Sequence, residues 1–221
     1  MTNYKKAPID GPEAFEREFS VSRETSKRLI RYEELLRQWQ KAVNLVAPGT
    51  LDDVWGRHFA DSAQLARLVP PNAQSLMDMG AGGGFPGLVL AIVLAECGPL
   101  RVTLIESDNR KAAFLREVAR QTGTPVDILS ARIEKPETRS KVQAVDVITA
   151  RALAPLSRLF SLSAPYFASG SVGLFLKGRD IQGEIEAAEA EWRFDLELVA
   201  SVTDAEGRIA VVRNVAAKTE G

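Results

Sequence analysis

The sequence has a single cysteine, Cys97, in 221 residues. One thiol excludes an intrachain disulfide, and no cysteine cluster is available for structural zinc, so no metal is expected. Histidine is equally scarce, with His58 alone. Long apolar runs are missing. The longest near-apolar stretch, Phe85 to Cys97, is too short to cross a bilayer and contains Glu96. The opening residues, MTNYKKAPIDGPE, lack the apolar core of a signal peptide. Repeats and low-complexity segments are absent. The expectation is a cytoplasmic chain that neither crosses nor anchors to a membrane.

What is present is an ordinary globular balance, 45% apolar and 26% charged, enough for one full core. The net charge is −1 but unevenly spread. Residues 180–206 hold nine acids and one base, Arg193, a local charge of −8, which leaves +7 on the rest. A basic body beside an acidic part suits a protein that meets a polyanion on one face; solvated helix surfaces are the plainer reading.

Residues 11–68 read as helical. Ser22 is placed to cap a helix reaching about Lys41, with Leu29, Ile30, Leu35, Leu36 and Trp39 on one face. A second helix is expected over 51–68, closed by Pro70-Pro71. The pattern then alternates. Strands are expected near 75–79, 101–106, 125–130, 144–150 and 171–177, and helices near 86–96, 109–122, 155–165 and 179–190. Such alternation predicts an α/β fold with a mostly parallel sheet. Two β-rich runs, Phe194 to Val202 and Arg208 to Val215, flank Asp204-Ala205-Glu206-Gly207 and predict an antiparallel C-terminal hairpin. The expected division is a helical extension over 1–70, an α/β domain over 71–216 and a frayed tail over 217–221.

One stretch carries the chemistry: Asp78-Met79-Gly80-Ala81-Gly82-Gly83-Gly84-Phe85-Pro86-Gly87, after a strand and before a helix. Glycines allow positive φ and close backbone approach to a ligand, and a helix start offers free N–H groups. Glu106, at the tip of the second strand, is placed to accept hydrogen bonds from a ribose. Two cofactors compete. Gly82-x-Gly84-x-x-Gly87 fits a dinucleotide fingerprint, with Glu106 lying 19 residues after Gly87. Asp78-x-Gly80-x-Gly82-x-Gly84 instead resembles motif I of S-adenosylmethionine-dependent methyltransferases. A dinucleotide fingerprint puts its first glycine at the strand end, here Gly80, and Gly80-x-Gly82-x-x-Phe85 breaks that spacing. Asp78 would then bond the donor's ammonium or orient the loop; helix capping is the other role, for which it sits early in sequence.

The acceptor is narrowed by exclusion. After the fourth strand the chain reads Thr149-Ala150-Arg151-Ala152-Leu153-Ala154-Pro155, without the Asn/Asp-Pro-Pro-aromatic motif of exocyclic-amine methyltransferases. Methylation at pyrimidine C5 needs a cysteine nucleophile, and Cys97, at the end of the helix after the first strand, reads as core. A ring nitrogen such as guanine N7 needs neither device.

At this point the residues resemble a family, the bacterial small-subunit ribosomal RNA methyltransferases called RsmG or GidB. The resemblance runs from about residue 30 to about 215. It rests on Asn44-Leu45-Val46, Trp55-x-Arg57-His58-x-x-Asp61-Ser62, the glycine stretch, Arg110-Lys111-x-x-Phe114-Leu115, Arg132-Ile133-Glu134, Arg151-Ala152 and Leu176-Lys177-Gly178. It implies a class I, Rossmann-like methyltransferase fold with a helical extension, S-adenosylmethionine as donor, and guanine N7 of 16S ribosomal RNA, free or in a small-subunit ribonucleoprotein, as acceptor. Donor contacts are implied at Gly80 and Phe85, at Glu106 with Ser107, at Ile133-Glu134, and at Arg151. Asp78, Gly82 and Gly84 complete the expected donor site. Arg57, His58, Arg110, Lys111, Arg116, Arg132 and Lys177 are candidates for a basic rim that takes RNA phosphates; surface ion pairs are the alternative. His58 is redundant as a base for N7 attack, which favours a structural or RNA-contacting role. The chain is expected to act as a monomer. A nicotinamide-dependent reductase and a non-catalytic RNA-binding protein are the competing functions.

Overall fold

In the computed structural model, which describes residues 8–218, the chain starts with two helices, α1 (Pro12–Phe19) and α2 (Arg23–Trp39). The Ser22 hydroxyl caps α2 by accepting from the Thr25 backbone N–H, one of the donors a helix start leaves free. Leu29, Tyr32, Leu35 and Leu36 form its buried face. Ile30, expected on that face, is 38% exposed. It is rotated roughly 100° from Leu29, out of the stripe.

The continuous helix expected over 51–68 is replaced by short turns of different pitch. They are a 3-10 segment (Pro48–Asp53), a π segment (Trp55–Ala60), one α turn, α3 (Asp61–Ala63), and a second 3-10 segment (Gln64–Leu68). The cause is visible at Arg57. The Asp61 N–H bonds the carbonyls of Gly56 and His58, while the carbonyl of Arg57, four residues back, accepts from the Arg151 side chain at 2.9 Å. A helix turn widened in this way often marks a functional site.

Seven strands form one sheet in the order β3-β2-β1-β4-β5-β7-β6. Strands β1 (Ser75–Met79), β2 (Arg101–Glu106), β3 (Asp127–Ser130), β4 (Val145–Arg151) and β5 (Phe167–Lys177) run parallel. Strand β7 (Arg208–Ala217) is antiparallel to β5, and β6 (Trp192–Ala200) to β7, the expected C-terminal hairpin. Helices α4 (Gly87–Val93), α5 (Asn109–Thr122), α6 (Pro136–Lys141), α7 (Leu156–Ser163) and α8 (Ile181–Glu191) link the strands. α5 has the bounds expected of it, fixed by the Asp108 cap and by Gly123 at φ +63°. α6 has no counterpart among the expected helices. α4 stops at Val93, so Cys97 lies in the following turn, exposed and outside the core. β7 extends to Ala217 and the Lys218 N–H bonds the Glu191 carbonyl, so these two residues of the expected tail are ordered by pairing; 219–221 lie outside the described residues.

Strand residues alternate between two cores. Leu76, Leu104, Val147 and Leu174 face a cluster shared with α2, α4 and α5. Met77, Ile105, Ile148 and Phe175 face a second cluster with α7 and α8. The extension contributes Phe15, Leu29, Tyr32 and Trp55 to the first cluster, so it packs into the same core as the sheet.

Candidate functional site

β1 lies between β2 and β4, and the chain leaves these strands in opposite directions, which opens a crevice at their carboxyl ends. A cavity of about 810 Å³ occupies that crevice. Its floor is the turn after β1 (Gly80 to Gly83, with Phe85), the last residue of β4 with the turn that follows (Arg151 to Pro155), and the end of β5 with Gly178 (Lys177-Gly178). Its roof comes from the extension (Leu45, Thr50, Arg57, His58, Asp61) and from the β6–β7 loop (Ser201, Asp204, Gly207, Arg208).

The glycines of the turn serve different ends. Gly80 has φ +66°, and a Cβ there would meet Leu153 Cδ1 at 2.7 Å. Gly82 has φ +56° with nothing nearer its Cβ position than the Gly80 carbonyl at 3.7 Å, so its open side faces the cavity. Gly84, expected at the donor, is buried away from the cavity. At φ +92° its missing Cβ makes room for the Tyr32 hydroxyl, which donates to the Gly83 carbonyl. The extension thus docks onto the back of the turn. Glu106, buried and not lining the cavity, braces the turn: its carboxylate accepts from the Gly82 N–H at 2.8 Å and the Asp108 N–H at 2.7 Å.

Asp78 does not reach the cavity. It follows Leu76 by two residues and therefore points to the α4 side of the sheet. There it is fully buried, accepting from the Gly87 N–H at 3.0 Å and the Thr149 hydroxyl at 2.7 Å. Its role is to cap α4 across the glycine turn, the role its distance in sequence argues against; the turn folds back and closes that gap. Burial is the main force raising its pKa to about 7, against those two hydrogen bonds.

Arg151 joins the two halves of the site. Its guanidinium donates to the Arg57 carbonyl (2.9 Å), pairs with Asp61 Oδ2 (3.2 Å) and lies 2.8 Å from His58 Nδ1. It also sits 5.0 Å from the centre of the Phe85 ring. Phe85 is stacked between Tyr32 (5.5 Å) and His58 (4.9 Å). His58 is 7% exposed, and its pKa falls to about 3, through burial first and then the neighbouring Arg151 and Arg57. A buried neutral ring with both nitrogens engaged is not a phosphate contact, so His58 belongs to the wall of the site and not to a basic rim. Lys177 is likewise withdrawn: its ammonium donates to the Ala154 carbonyl and pairs with Glu184.

The remaining expected residues divide by exposure. Arg57 and Lys111 line the cavity, and among the described residues no side-chain partner holds either. Arg110 and Arg132 are exposed and do not line the cavity; they are loosely paired with Asp108 (4.0 Å) and Glu134 (3.8 Å). Arg116 is exposed on α5, five residues beyond Lys111, and so turned roughly 140° from it. Ser107 and Ile133-Glu134 follow β2 and β3 and do not line the cavity; Ile133 is buried and its carbonyl accepts from Tyr166.

Several site residues escape the sequence reading. Leu153 is 37% exposed at the cavity, set out by Ala152 at φ +52°, a conformation that costs a non-glycine residue energy and clusters at functional sites. Asp61 ties three parts together, pairing Arg151 and accepting from Thr203 and Gln64. Thr50 and the β6–β7 loop carry no spacing signal; only the fold brings them to the cavity.

A sheet of this order, with a glycine turn after β1 and a cavity at its switch point, is the Rossmann-like fold of S-adenosylmethionine-dependent methyltransferases. Solved structures agree on the fold. The chain is similar to fibrillarin of Aeropyrum pernix, solved with natively bound S-adenosyl-L-methionine (TM-score 0.55, 16% identity, 70% of this chain and 75% of that one). It is also similar to the pre-rRNA processing fibrillarin of Methanococcus jannaschii (TM-score 0.54, 19% identity, 69% and 74%). Within that class, the chain belongs to the GidB family, rRNA small subunit methyltransferase G, whose model matches residues 25–212. Relatives named ribosomal RNA small subunit methyltransferase G include those of Parvibaculum lavamentivorans (50% identical, 92% of this chain and 89% of that protein) and Paramagnetospirillum magneticum (47%, 93% and 96%).

Proposed function

We propose that the chain transfers a methyl group from S-adenosylmethionine to guanine N7 in 16S ribosomal RNA, at position 527, on free RNA or a small-subunit particle, as a cytoplasmic monomer. The observation that carries the reading, beside family membership, is the state of the cavity's acid–base groups. Asp61 is paired with Arg151, Glu184 with Lys177, and both His58 nitrogens are engaged. The remaining carboxylate, Asp204, is exposed on the β6–β7 loop and accepts only the Glu206 N–H, so the groups around Arg151 and the glycine turn are all engaged, and among the described residues Asp204 is the one cavity carboxylate without a side-chain partner. Guanine N7 brings its own lone pair and has no proton to lose, so its methylation asks for alignment and not for a general base.

The residues present fit the donor. The open side of Gly82 and the positive φ of Gly80 leave backbone exposed where a side chain would intrude. Gly80 and Gly82 would hold the methionine part, and Glu106, whose carboxylate has lone pairs left beyond its two backbone bonds, the ribose with Ser107. Ile133 and Glu134 would flank the adenine. Phe85 and Arg151 form the wall between donor and acceptor, and Arg57 and Lys111 supply free charge for RNA phosphates. When bound, S-adenosylmethionine supplies an electrophilic methyl group on a sulfonium. Titration calorimetry with S-adenosylhomocysteine, and with NADH in parallel, tests the site: saturable one-to-one binding of the first alone supports the reading, and binding of NADH alone overturns it.

A further inference from the structure

The contact between Arg151 and His58 fixes a proton. A guanidinium has donors and no acceptor, so the atom it approaches at 2.8 Å, His58 Nδ1, must carry a lone pair. The other end agrees. His58 Nε2 lies 2.8 Å from the Thr50 hydroxyl, which itself lies 2.7 Å from the Ala47 carbonyl. That carbonyl takes the hydroxyl proton, leaving the Thr50 oxygen to accept from Nε2–H. The chain Arg151 to His58 to Thr50 to Ala47 therefore runs in one direction, with the ring neutral.

We infer that His58 is a positioning residue, a ring locked with its proton on Nε2 that holds the Arg151 guanidinium over Phe85 and so couples the N-terminal extension to the methyl-transfer site. Its catalytic consequence rests on the methyltransferase reading; the locked tautomer does not. The charged groups around the ring are Arg151 from β4, Arg57 and Asp61 from its own segment, and Lys111 across the cavity. A second ring proton would set N–H against N–H at Nδ1 and break the contact, freeing the guanidinium from one of its three anchors. Burial and the two arginines both oppose that proton.

His58 is the only histidine, so long-range proton–nitrogen NMR of untagged protein reads its ring without assignment. The expected result is the neutral Nε2–H tautomer, unchanged from pH 8 to pH 5. An Nδ1–H tautomer, or a titration near pH 6.5, overturns the inference. The second arm is kinetic. His58→Asn keeps an acceptor at the branch that faces Arg151, while His58→Gln reaches only toward Thr50. The Gln and Ala variants should lose roughly a hundredfold in kcat, as misplacement of an aligning group does. The Asn variant should recover at least roughly tenfold of that, with the Kd for S-adenosylhomocysteine held within about threefold throughout. Equal loss in Asn and Gln contradicts the inference. Absence of methyl transfer by the wild type sinks the proposed function instead, and the NMR arm still decides the tautomer.

Discussion

Gly84→Ala tests whether the extension and the glycine turn are fitted to each other. Gly84 has φ +92°, and an added Cβ would overlap the Tyr32 hydroxyl and crowd Leu88 and Leu115 at 3.0 and 3.1 Å. The left-handed backbone costs alanine about 1–2 kcal/mol, and forcing a methyl into a packed core costs about 1–3 kcal/mol. The variant should therefore lose about 2–5 kcal/mol of stability, roughly 5–15 °C in Tm for a chain of this size. Tyr32→Phe alone should cost about 1–2 kcal/mol, because it leaves the buried Gly83 carbonyl without its donor. In the double variant the missing hydroxyl gives the methyl its space, so the combined loss should fall short of the sum by about 1 kcal/mol or more. Urea unfolding of the four proteins measures this. Additive losses, or a Gly84→Ala cost below about 0.5 kcal/mol, would refute the packing argument. Weakened S-adenosylhomocysteine binding at undiminished stability would return Gly84 to the ligand.

Lys177→Ala should destabilise by about 3 kcal/mol, since Glu184 loses its partner in a largely buried pair, and leave the salt dependence of RNA binding unchanged. Arg57→Ala and Lys111→Ala should do the reverse, each lowering the slope of log affinity against log salt by about one with little change in stability; equal slopes in all three variants would contradict the division. Above about pH 5, stability against pH carries two opposed contributions from the buried groups. His58, neutral to about pH 3 when folded and 6.5 as its ordinary value, contributes stability that is full above pH 6.5 and lost as pH falls, about 1.4 kcal/mol per unit. Asp78, raised to about 7 from 3.8, contributes stability that is full below 3.8 and lost as pH rises to 7. Their slopes cancel between about pH 5 and 6.5, above the range in which Glu117, Asp108 and Asp146, all held below their ordinary values, lose stability with acid. Asp78→Asn should therefore expose a stability that falls from about pH 6.5 to 5, and unfolding midpoints at stepped pH would show no such fall if His58 titrates normally.

The alternation of strands and helices, the hairpin and the bounds of α5 were legible because they rest on local signals: hydrophobic pattern, a turn between β-rich runs, an Asp cap and a closing glycine; the order of the strands in the sheet was not. The glycine turn itself, between β1 and α4, was legible for the same reason. What each residue of it does was not. Motif spacing places Asp78 and Gly84 in one series with Gly80 and Gly82, yet strand parity turns Asp78 under α4, and Gly84 answers to Tyr32, 52 residues earlier in the chain. The same limit applies to charge. Composition counts Lys177 and Arg57 alike as basic, whereas burial beside Glu184 neutralises the one and leaves the other free. The broken helix over 48–68 carried no sequence mark, because its cause is a carbonyl captured by Arg151 from the far side of the cavity.

The atom that receives the methyl group decides the proposed function. Purified protein is incubated with small-subunit particles and, separately, with deproteinised RNA, using isotopically labelled S-adenosylmethionine, and the RNA is digested to nucleosides for mass spectrometry. Label is expected in N7-methylguanosine and in no other nucleoside. Label on another atom or base, or none on either substrate while S-adenosylhomocysteine binds, would contradict it.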